Sequence, residues 1–212
     1  QTMLWSYYVK LSYGITVHDE AEELKRLLNI LTDNIDKEDE IVICIDGDDV
    51  KVESVVGEYL SENEAIVYKR KLDGDFAAQK NSVIENSSGD YIFHIDADEY
   101  PSDGLLEYVK PVLEINKVDL IWVPRVNTVD GLTDEYCNKW GWRITQNGWV
   151  NYPDYQSRIF RNDKSIRWQN KVHERIFGAK EYSHLPPNET LSLYHPKTIN
   201  KQIKQNEFYS QI

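Results

Sequence analysis

Cysteine is scarce in this chain of 212 residues, which contains only Cys44 and Cys137. Cys44 lies inside the apolar run IVICI and is interpreted as a small buried side chain, as unpaired cysteines often are. No CxxC motif is present, so neither a disulfide framework nor a cysteine-based metal site is expected. The sequence also lacks a secretory leader pattern and any apolar run of about 18 residues. These absences predict a reduced, cytoplasmic protein with no membrane span.

Positive charge is also in short supply. Lysine and arginine number 24 against 36 acidic residues, the formal net charge is −12, and no basic block occurs. Such a surface repels nucleic acid and anionic membranes, so neither is an expected partner. Glycine-rich phosphate loops are absent, and His173-Glu174 lacks the second histidine of a zinc-protease helix. A calcium loop starting at Asp46 fails because Val50 and Gly57 stand where oxygen ligands belong.

Apolar runs alternate with helix-like segments along the first 126 residues. Strands are predicted at 7–17, 40–45, 65–68, 91–95 and 118–123. The helices predicted between them include one capped by Asp19 with Glu22 and one capped by Ser102, which Pro111 is expected to bend or shorten. Strands that alternate with helices imply right-handed crossovers and a parallel sheet. The sequence therefore predicts an α/β fold with a mostly parallel sheet flanked by helices.

The chain changes character after about Asn127. This half is dense in Trp, Tyr, Gly and Asn, with short strands expected at 156–161, 165–168 and 191–194 and a terminal helix carrying Ile199, Ile203 and Phe208. No linker divides it off, so residues 1–212 are interpreted as one domain with halves 1–126 and 127–212. The irregular second half is expected to cover the open sheet edge and to form one wall of a cleft. The opening QTM indicates an excised piece of a longer protein.

Three carboxylates, Asp96, Asp98 and Glu99, follow the strand at 91–95 within four residues. Polar residues also follow the first two strands, at 16–19 and 46–49, and ligands bind beyond the carboxyl ends of parallel strands. Like charges this close repel unless a positive group lies between them. Carboxylates at a rigid strand end suit Mg²⁺ or Mn²⁺. We interpret the cluster as a metal site; the alternative is a solvated loop before the helix cap at Ser102.

Four segments carry a resemblance to a known family: ITVHDEAEELKRLL, EIVICIDGDD, DGDFAAQKNSVIENSSGDYIFHIDADE and WVNYPDYQSRIFRNDKSIRWQNKVHE. The first three resemble the nucleotide-sugar-binding half of the GT-A glycosyltransferases, particularly the inverting family 2, and the third contains that family's DxD motif. The fourth resembles a bacterial branch that glycosylates surface polysaccharide. The resemblance covers most of residues 7–174 and implies a GT-A (Rossmann-like) fold with an acceptor-side second half. A virus-encoded enzyme of this type, such as one from a chlorella virus acting in the host cytoplasm, is one hypothesis for its source.

The resemblance implies which positions bind the donor. The residues expected to contact the nucleotide sugar are Thr16, Val17, His18, Asp46, Lys80, Asp96, Arg158 and Trp149. Thr16 and Asp46 would hold the nucleobase, in the first instance uracil, and Asp96 would contact the ribose or reach the metal through water. Asp98 would ligate Mn²⁺ or Mg²⁺ directly, and Asp96 and His173 would complete the metal site. The alternative for His173 is a packed strand histidine.

An inverting transfer needs a base for the acceptor hydroxyl and a positive group for the departing diphosphate. Asp154, in YPDYQSR, is the first candidate for the base, and Glu174 and Glu99 are reserve candidates. The alternative for Asp154 is an aspartate that ends a turn after Pro153. Arg158 is expected to pair with phosphate or with a nearby carboxylate. The tryptophans that could form a sugar platform, or pack in the core, are Trp140, Trp142 and Trp149.

The expected activity is metal-dependent transfer of a hexose or deoxyhexose from a UDP-sugar to a hydroxyl of a glycan or glycoprotein, with inversion. Two alternatives stay open from the sequence. The first is a transferase-like domain without activity that binds carbohydrate or nucleotide. The second is a nucleotidyltransferase that makes sugar nucleotides. That class requires a basic, glycine-rich loop after the first strand, where this chain has TVHDEAEE.

Overall fold

The computed structural model describes residues 9–209 of the chain. The strands within these residues are β1 (Leu11–Val17), β2 (Glu40–Ile45), β3 (Ile66–Lys69), β4 (Tyr91–Asp96), β5 (Tyr100–Pro101), β6 (Leu120–Val123), β7 (Arg125–Asp130), β8 (Gln156–Arg161), β9 (Arg167–Gln169), β10 (Arg175–Phe177), β11 (Tyr182–His184) and β12 (Leu193–Thr198). The α-helices are α1 (Ala21–Asn34), α2 (Val50–Leu60), α3 (Phe76–Glu85), α4 (Asp103–Asn116), α5 (Asp134–Trp140) and α6 (Ile199–Tyr209). The first strand therefore begins later than predicted, and residues 7 and 8 lie outside the described range.

A seven-stranded sheet with the order β11-β6-β8-β4-β1-β2-β3 forms the centre of the fold. The pairs of β1 with β2 and β4, of β2 with β3 and of β6 with β11 are parallel, whereas β8 runs antiparallel to both β4 and β6. The prediction of a mostly parallel sheet flanked by helices is confirmed. The second half of the chain does more than cover an edge, because its strand β8 lies inside the sheet between two strands of the first half.

The register of the sheet aligns the polar strand ends. Thr16 on β1 lies opposite Asp96 on β4 and Cys44 on β2, one pair before the end of β2 at Ile45. Asp46 follows immediately and donates its backbone N–H to the carbonyl oxygen of Val17. The residues that follow three separate strands are therefore neighbours at one edge.

The two faces of the sheet are covered by different helices. The α1 side chains Leu24, Leu27, Leu28 and Leu31 are at most 1% exposed and join a core cluster with buried residues of α2 and α4. Helix α3 lies on the opposite face, where it approaches the sheet so closely that a Cβ atom on Gly14 would lie 2.4 Å from Val83 Cγ1. Glycine at position 14 thus lets α3 dock against the centre of β1, which brings α3 side chains to the carboxyl edge of the sheet.

The prediction of a cap at Asp19 is wrong, and so is the shortening expected from Pro111. Asp19 does not cap α1: the N-cap position is Glu20, whose carboxylate accepts hydrogen bonds from the backbone N–H groups of His18 and Asp19 and none from the helix. Pro111 does not shorten α4, which continues to Asn116. The Ser102 cap is confirmed, because its hydroxyl accepts the backbone N–H of Leu105.

A second, three-stranded sheet with the order β5-β12-β7 joins the two halves of the chain. Strand β7 spans the expected boundary near residue 126, and β12 runs parallel to it with His195 opposite Asn127. Strand β12 begins two residues after the start of the strand predicted at 191–194, and it extends to Thr198. The small sheet therefore carries residues 193–198 to the carboxyl edge of the large sheet. Within residues 9–209, no helix is long and apolar enough to cross a membrane.

Candidate functional site

A cleft of about 930 Å³ opens at the carboxyl ends of β1, β2 and β4. Its lining includes side chains of these strand ends, of α3, and of the second-half elements β7, β8, β12 and α6. This is the edge at which open parallel α/β sheets bind ligands. The cleft contains every residue expected to bind donor or metal except Trp149.

Thr16, Val17, His18 and Asp46 meet where β1 and β2 end. The His18 Nδ1 atom lies 3.0 Å from the carbonyl oxygen of Asp46 and 3.1 Å from its Oδ2 atom. The other carboxylate oxygen, Oδ1, accepts the backbone N–H of Leu72 at 2.9 Å. Burial acts to lower the pKa of His18, but the contacts with Asp46 outweigh it and raise that pKa. Asp46 is therefore fixed as a hydrogen-bond acceptor beside the ends of two strands.

Asp96 is held by positive groups. Its Oδ2 atom accepts a hydrogen bond from Arg158 Nη2 at 2.6 Å, and its Oδ1 atom lies 3.5 Å from Lys80 Nζ. The Thr16 hydroxyl also donates to Oδ1, at 3.1 Å. Burial acts to raise the pKa of Asp96, but Arg158 and Lys80 hold it well below the ordinary value. Asp96 is thus ionised, and part of the like-charge repulsion is compensated within the protein.

Glu99 is the most deeply placed of the three acids, with no exposed surface. Its Oε1 atom accepts hydrogen bonds from Arg125 Nη1 at 2.6 Å and from Arg158 Nη2 at 2.8 Å. Its other oxygen accepts the backbone N–H of Asp96 at 3.2 Å. A carboxylate so enclosed has no path to an acceptor hydroxyl, so the reserve assignment of Glu99 as base is wrong. Arg158 pairs with carboxylates, the second of the two roles expected for it.

Asp98 has a different environment from Asp96. Its Oδ2 atom lies 3.4 Å from His195 Nε2 and 3.4 Å from Lys201 Nζ. The imidazole beside Asp98 therefore belongs to His195, on β12, while His173 lines the cleft from the segment between β9 and β10. Burial lowers the pKa of His195 despite the adjacent carboxylate, which favours the neutral ring that metals bind. His195 was not among the residues predicted from the sequence, although it directly follows the predicted strand at 191–194.

The donor set at Asp98 limits the kind of metal site that can form. No group of three or more His, Cys, Asp and Glu side chains within residues 9–209 has the arrangement of a metal centre. One carboxylate and one neutral imidazole nevertheless suit Mn²⁺, and Mg²⁺ sites in phosphate-transfer enzymes often use one or two protein ligands plus substrate phosphates. The residues present fit a metal that binds together with a diphosphate and do not form a complete protein cage.

Asp154 also lines the cleft, just before β8. Its Oδ2 atom accepts hydrogen bonds from Arg125 Nε at 2.9 Å, Arg125 Nη2 at 2.6 Å and Asn127 Nδ2 at 2.8 Å. Its Oδ1 atom accepts from Gln156 Nε2 at 2.9 Å. Burial acts to raise the pKa of Asp154, but Arg125 and these hydrogen bonds lower it. With its side chain 30% exposed, Asp154 is an ionised, oriented carboxylate that remains accessible from the cleft.

Glu174, the reserve base, is paired with Lys80. The Lys80 Nζ atom lies 2.7 Å from Glu174 Oε1 and 4.7 Å from the centre of the Trp168 ring. The Lys80 side chain is only 5% exposed, so its charge is enclosed between Asp96, Glu174 and this aromatic face. Glu174, like Asp154, is therefore a carboxylate paired with a basic side chain, and it stays the reserve candidate for the base.

The tryptophans of the second half occupy different places. Trp142 lines the cleft and packs against Trp140, with ring centres 4.7 Å apart, and Trp140 stacks on Tyr136. Trp149 lies outside the cleft lining and packs edge-on against Tyr152. The structure therefore does not place Trp149 where a donor-binding residue was expected. Of Trp140, Trp142 and Trp149, Trp142 is the one that lines the cleft.

The order of the large sheet and the position of the cleft define an α/β domain of the GT-A type. The model of the family "Glycosyl transferase family 2" matches residues 12–184. The chain belongs to that family, and its enzyme class is that of the glycosyltransferases.

Two curated proteins are similar in sequence to most of this chain. The chain is 28% identical over 193 residues to the SPbeta prophage-derived glycosyltransferase SunS of Bacillus subtilis, covering 87% of this chain and 39% of that protein. It is 29% identical over 167 residues to a TPR repeat-containing protein of Synechococcus elongatus, covering 79% of this chain and 35% of the relative. The chain thus spans less than half of the length of either relative.

Solved structures show the same fold at low identity. The crystal structure of Staphylococcus aureus TarS in complex with UDP matches with a TM-score of 0.66 at 17% identity, covering 88% of this chain and 60% of that one. A TarS structure in complex with UDP-GlcNAc matches with a TM-score of 0.63 at 16% identity, covering 89% of this chain and 58% of that one. Similarity at this identity concerns the fold alone.

Proposed function

We propose that the chain transfers a hexose or deoxyhexose from a UDP-sugar to a hydroxyl of a glycan or glycoprotein, with a divalent metal and with inversion. One observation carries the proposal. Asp154, the pair Asp98 and His195, and the polar ends of β1 and β2 all line one cleft of a family 2 domain. Membership of a glycosyltransferase family favours transfer of a sugar over transfer of a nucleotidyl group. The UDP complexes of TarS, which has the same fold, support the choice of nucleotide.

On the donor side, Thr16, His18 and Asp46 would bind the nucleobase and ribose through the hydrogen-bonding edge formed by β1 and β2. Asp98 and His195 would hold Mn²⁺ or Mg²⁺, which supplies charge neutralisation for the departing diphosphate. The Lys201 ammonium, 3.4 Å from Asp98, adds positive charge at the same place. These groups are arranged to stabilise negative charge as it develops on the leaving group.

On the acceptor side, Asp154 would take the proton of the attacking hydroxyl. The bond from the anomeric carbon to the diphosphate oxygen breaks, the bond to the acceptor oxygen forms, and UDP leaves while the proton moves to Asp154. The low pKa of Asp154 makes it a weak base at neutral pH. A weak base suffices if the hydroxyl loses its proton late, when bonding to the oxocarbenium-like carbon has made it acidic.

The proposal is tested by nucleotide release from UDP-, GDP- and dTDP-sugars, each with Mn²⁺ and with EDTA. We expect release from UDP-sugars only, and only with the metal present. Asp98→Asn should lose this release while staying folded, and Asp33→Asn, on the exposed side of α1, should match the wild type. Absence of release with every donor contradicts the transferase proposal, and UDP binding without release then indicates a binding module. Equal release in EDTA contradicts the metal role.

A further inference from the structure

Glu99 occupies a central position that the proposed chemistry does not use. The side chain is fully buried, yet it is charged, and both of its partners at Oε1 are guanidinium groups, those of Arg125 and Arg158. Its pKa, which burial acts to raise, is lowered chiefly by Arg158 and also by Arg125. A buried carboxylate of this kind is costly unless fully paired, so its presence behind the cleft lining requires an explanation.

Each of the two arginines that bind Glu99 also binds a second carboxylate, and the two carboxylates differ. Arg125 binds Glu99 with Nη1 and binds Asp154 with Nε and Nη2, at 2.9 and 2.6 Å. Arg158 binds Glu99 and Asp96 with the same Nη2 atom, at 2.8 and 2.6 Å. A continuous ionic chain therefore runs from Asp96 on β4, through Glu99, to Asp154 before β8. Its ends are the donor-side aspartate and the proposed base.

We propose that Glu99 is a positioning residue for sugar transfer, which sets the base Asp154 relative to the donor-side Asp96 through Arg125 and Arg158. This role rests on the proposed function. Two guanidinium groups that share one carboxylate oxygen would otherwise repel each other in a poorly solvated site. The Glu99 charge lets them lie side by side while Arg125 binds Asp154 through Nε and Nη2 and Arg158 binds Asp96 through the Nη2 atom that also binds Glu99.

Loss of the Glu99 charge should misplace the base without removing it. Asp154 keeps its hydrogen bonds from Asn127 and Gln156, and Asp96 keeps Thr16 and Lys80. What changes is the orientation of Arg125, and with it the distance between Asp154 and the donor. Small misplacements of reacting groups have large effects on the rate, whereas a donor bound at the other end of the chain is held almost as before.

The test compares Glu99→Gln, Arg125→Gln and the double variant, with steady-state kinetics on the donor and acceptor that the wild type uses and with UDP titrations. For Glu99→Gln we expect kcat to fall about 100-fold. We expect the affinity for UDP to stay within about threefold of the wild type. The double variant should be no slower than Arg125→Gln alone, because the two residues act on Asp154 through one path. Since it removes one charge of each sign, it also keeps the buried charges balanced.

Asp39→Asn is the matched control. Asp39 is a fully covered carboxylate paired with Lys110 at 2.8 Å, and it precedes β2 at the opposite edge of the sheet. It should lose stability but keep kcat. If Glu99→Gln fails to fold, Glu99→Asp retains the charge but withdraws it by one methylene, and a folded Glu99→Asp protein should still lose kcat.

Three results overturn the role of Glu99: wild-type kcat in a folded Glu99 variant, additive losses in the double variant, or an equal loss of UDP affinity and kcat. The first would show that Asp154 needs no ionic support. The second would place Glu99 and Arg125 on separate paths, and the third would indicate general damage to the cleft. A wild-type protein that turns over no donor overturns the proposed function instead, and with it this role.

Discussion

Glu40, at the start of β2, allows the most quantitative prediction about stability. Its Oε1 atom accepts hydrogen bonds from Ser12 Oγ at 2.6 Å and from the backbone N–H of Ser88 at 2.5 Å. Its Oε2 atom accepts from Lys10 Nζ at 3.0 Å and from Ser88 Oγ at 2.7 Å. Burial acts to raise the pKa of Glu40, but these hydrogen bonds together lower it from 4.5 to about 2. The carboxylate therefore ties the first strand and the turn before β4 to β2.

The size of the effect follows from that pKa. Each tenfold change in proton affinity corresponds to about 1.4 kcal/mol, so ionised Glu40 stabilises the fold by at most about 3 kcal/mol. The side chain is 16% exposed, and glutamine would retain part of the hydrogen bonding. Allowing for this screening, we expect Glu40→Gln to lower the free energy of unfolding by about 2 kcal/mol at pH 7.

The pH dependence has a defined sign. Because the folded-state pKa lies below the unfolded one, the contribution of Glu40 is complete above about pH 5 and is lost as pH falls towards 2. Urea unfolding followed by tryptophan fluorescence should therefore show a difference between wild type and variant that shrinks to less than half at about pH 3. Glu38→Gln, an exposed neighbour, should stay within about 0.5 kcal/mol of the wild type at both pH values. A difference that is the same at both pH values, or absent at pH 7, would refute the reasoning.

Three further predictions concern the cleft and the core. Asp154→Asn should keep UDP affinity but lower the rate of transfer by about 10² to 10⁴-fold, as expected for a lost general base; transfer within tenfold of the wild type would contradict the assignment. Asp46→Ala removes the carboxylate that His18 and Leu72 orient. Isothermal titration should show about tenfold weaker UDP binding, which is the scale of one hydrogen bond to a charged group. Unchanged binding would show that Asp46 is not part of the nucleotide site. Gly14→Ala places Cβ against Val83 and should cost about 1–3 kcal/mol in urea unfolding; wild-type stability would mean that α3 shifts freely.

The sequence predicted the elements that local patterns specify. The strand at 156–161 matches β8 at both ends, and the helix capped by Ser102 begins where expected. These elements follow from apolar spacing and from a side chain that caps its own helix, and both are properties of neighbouring residues. The failed cap at Asp19 shows the limit of such patterns. There the carboxylate of Glu20 turned towards the loop before the helix, and Asp19 was left outside the cap.

The candidate site was predicted in its location but only partly in its partners. Asp98 and Asp154 were recognised as candidates from the family motifs that contain them, and both line the cleft. Arg125 and His195 were not recognised, although Arg125 binds the candidate base and His195 lies beside the candidate metal ligand. The assignment of roles to Asp98 and Asp154 stays a prediction until the variants above are measured.

By itself, then, the sequence determined the alternation of strands and helices, and with it the sheet edge at which the acidic residues collect. The tertiary structure decided how their charge is compensated: Glu99 and Asp96 share Arg158, with Arg125 and Lys80 as further partners, and Asp98 is left facing His195 and Lys201. In the chain, Arg158 is 59 residues from Glu99 and 62 residues from Asp96, and His195 is 97 residues from Asp98. No local pattern encodes such distances. They follow from β8 entering the sheet antiparallel and β12 pairing with β7, which bring the second half of the chain to the ends of the first-half strands.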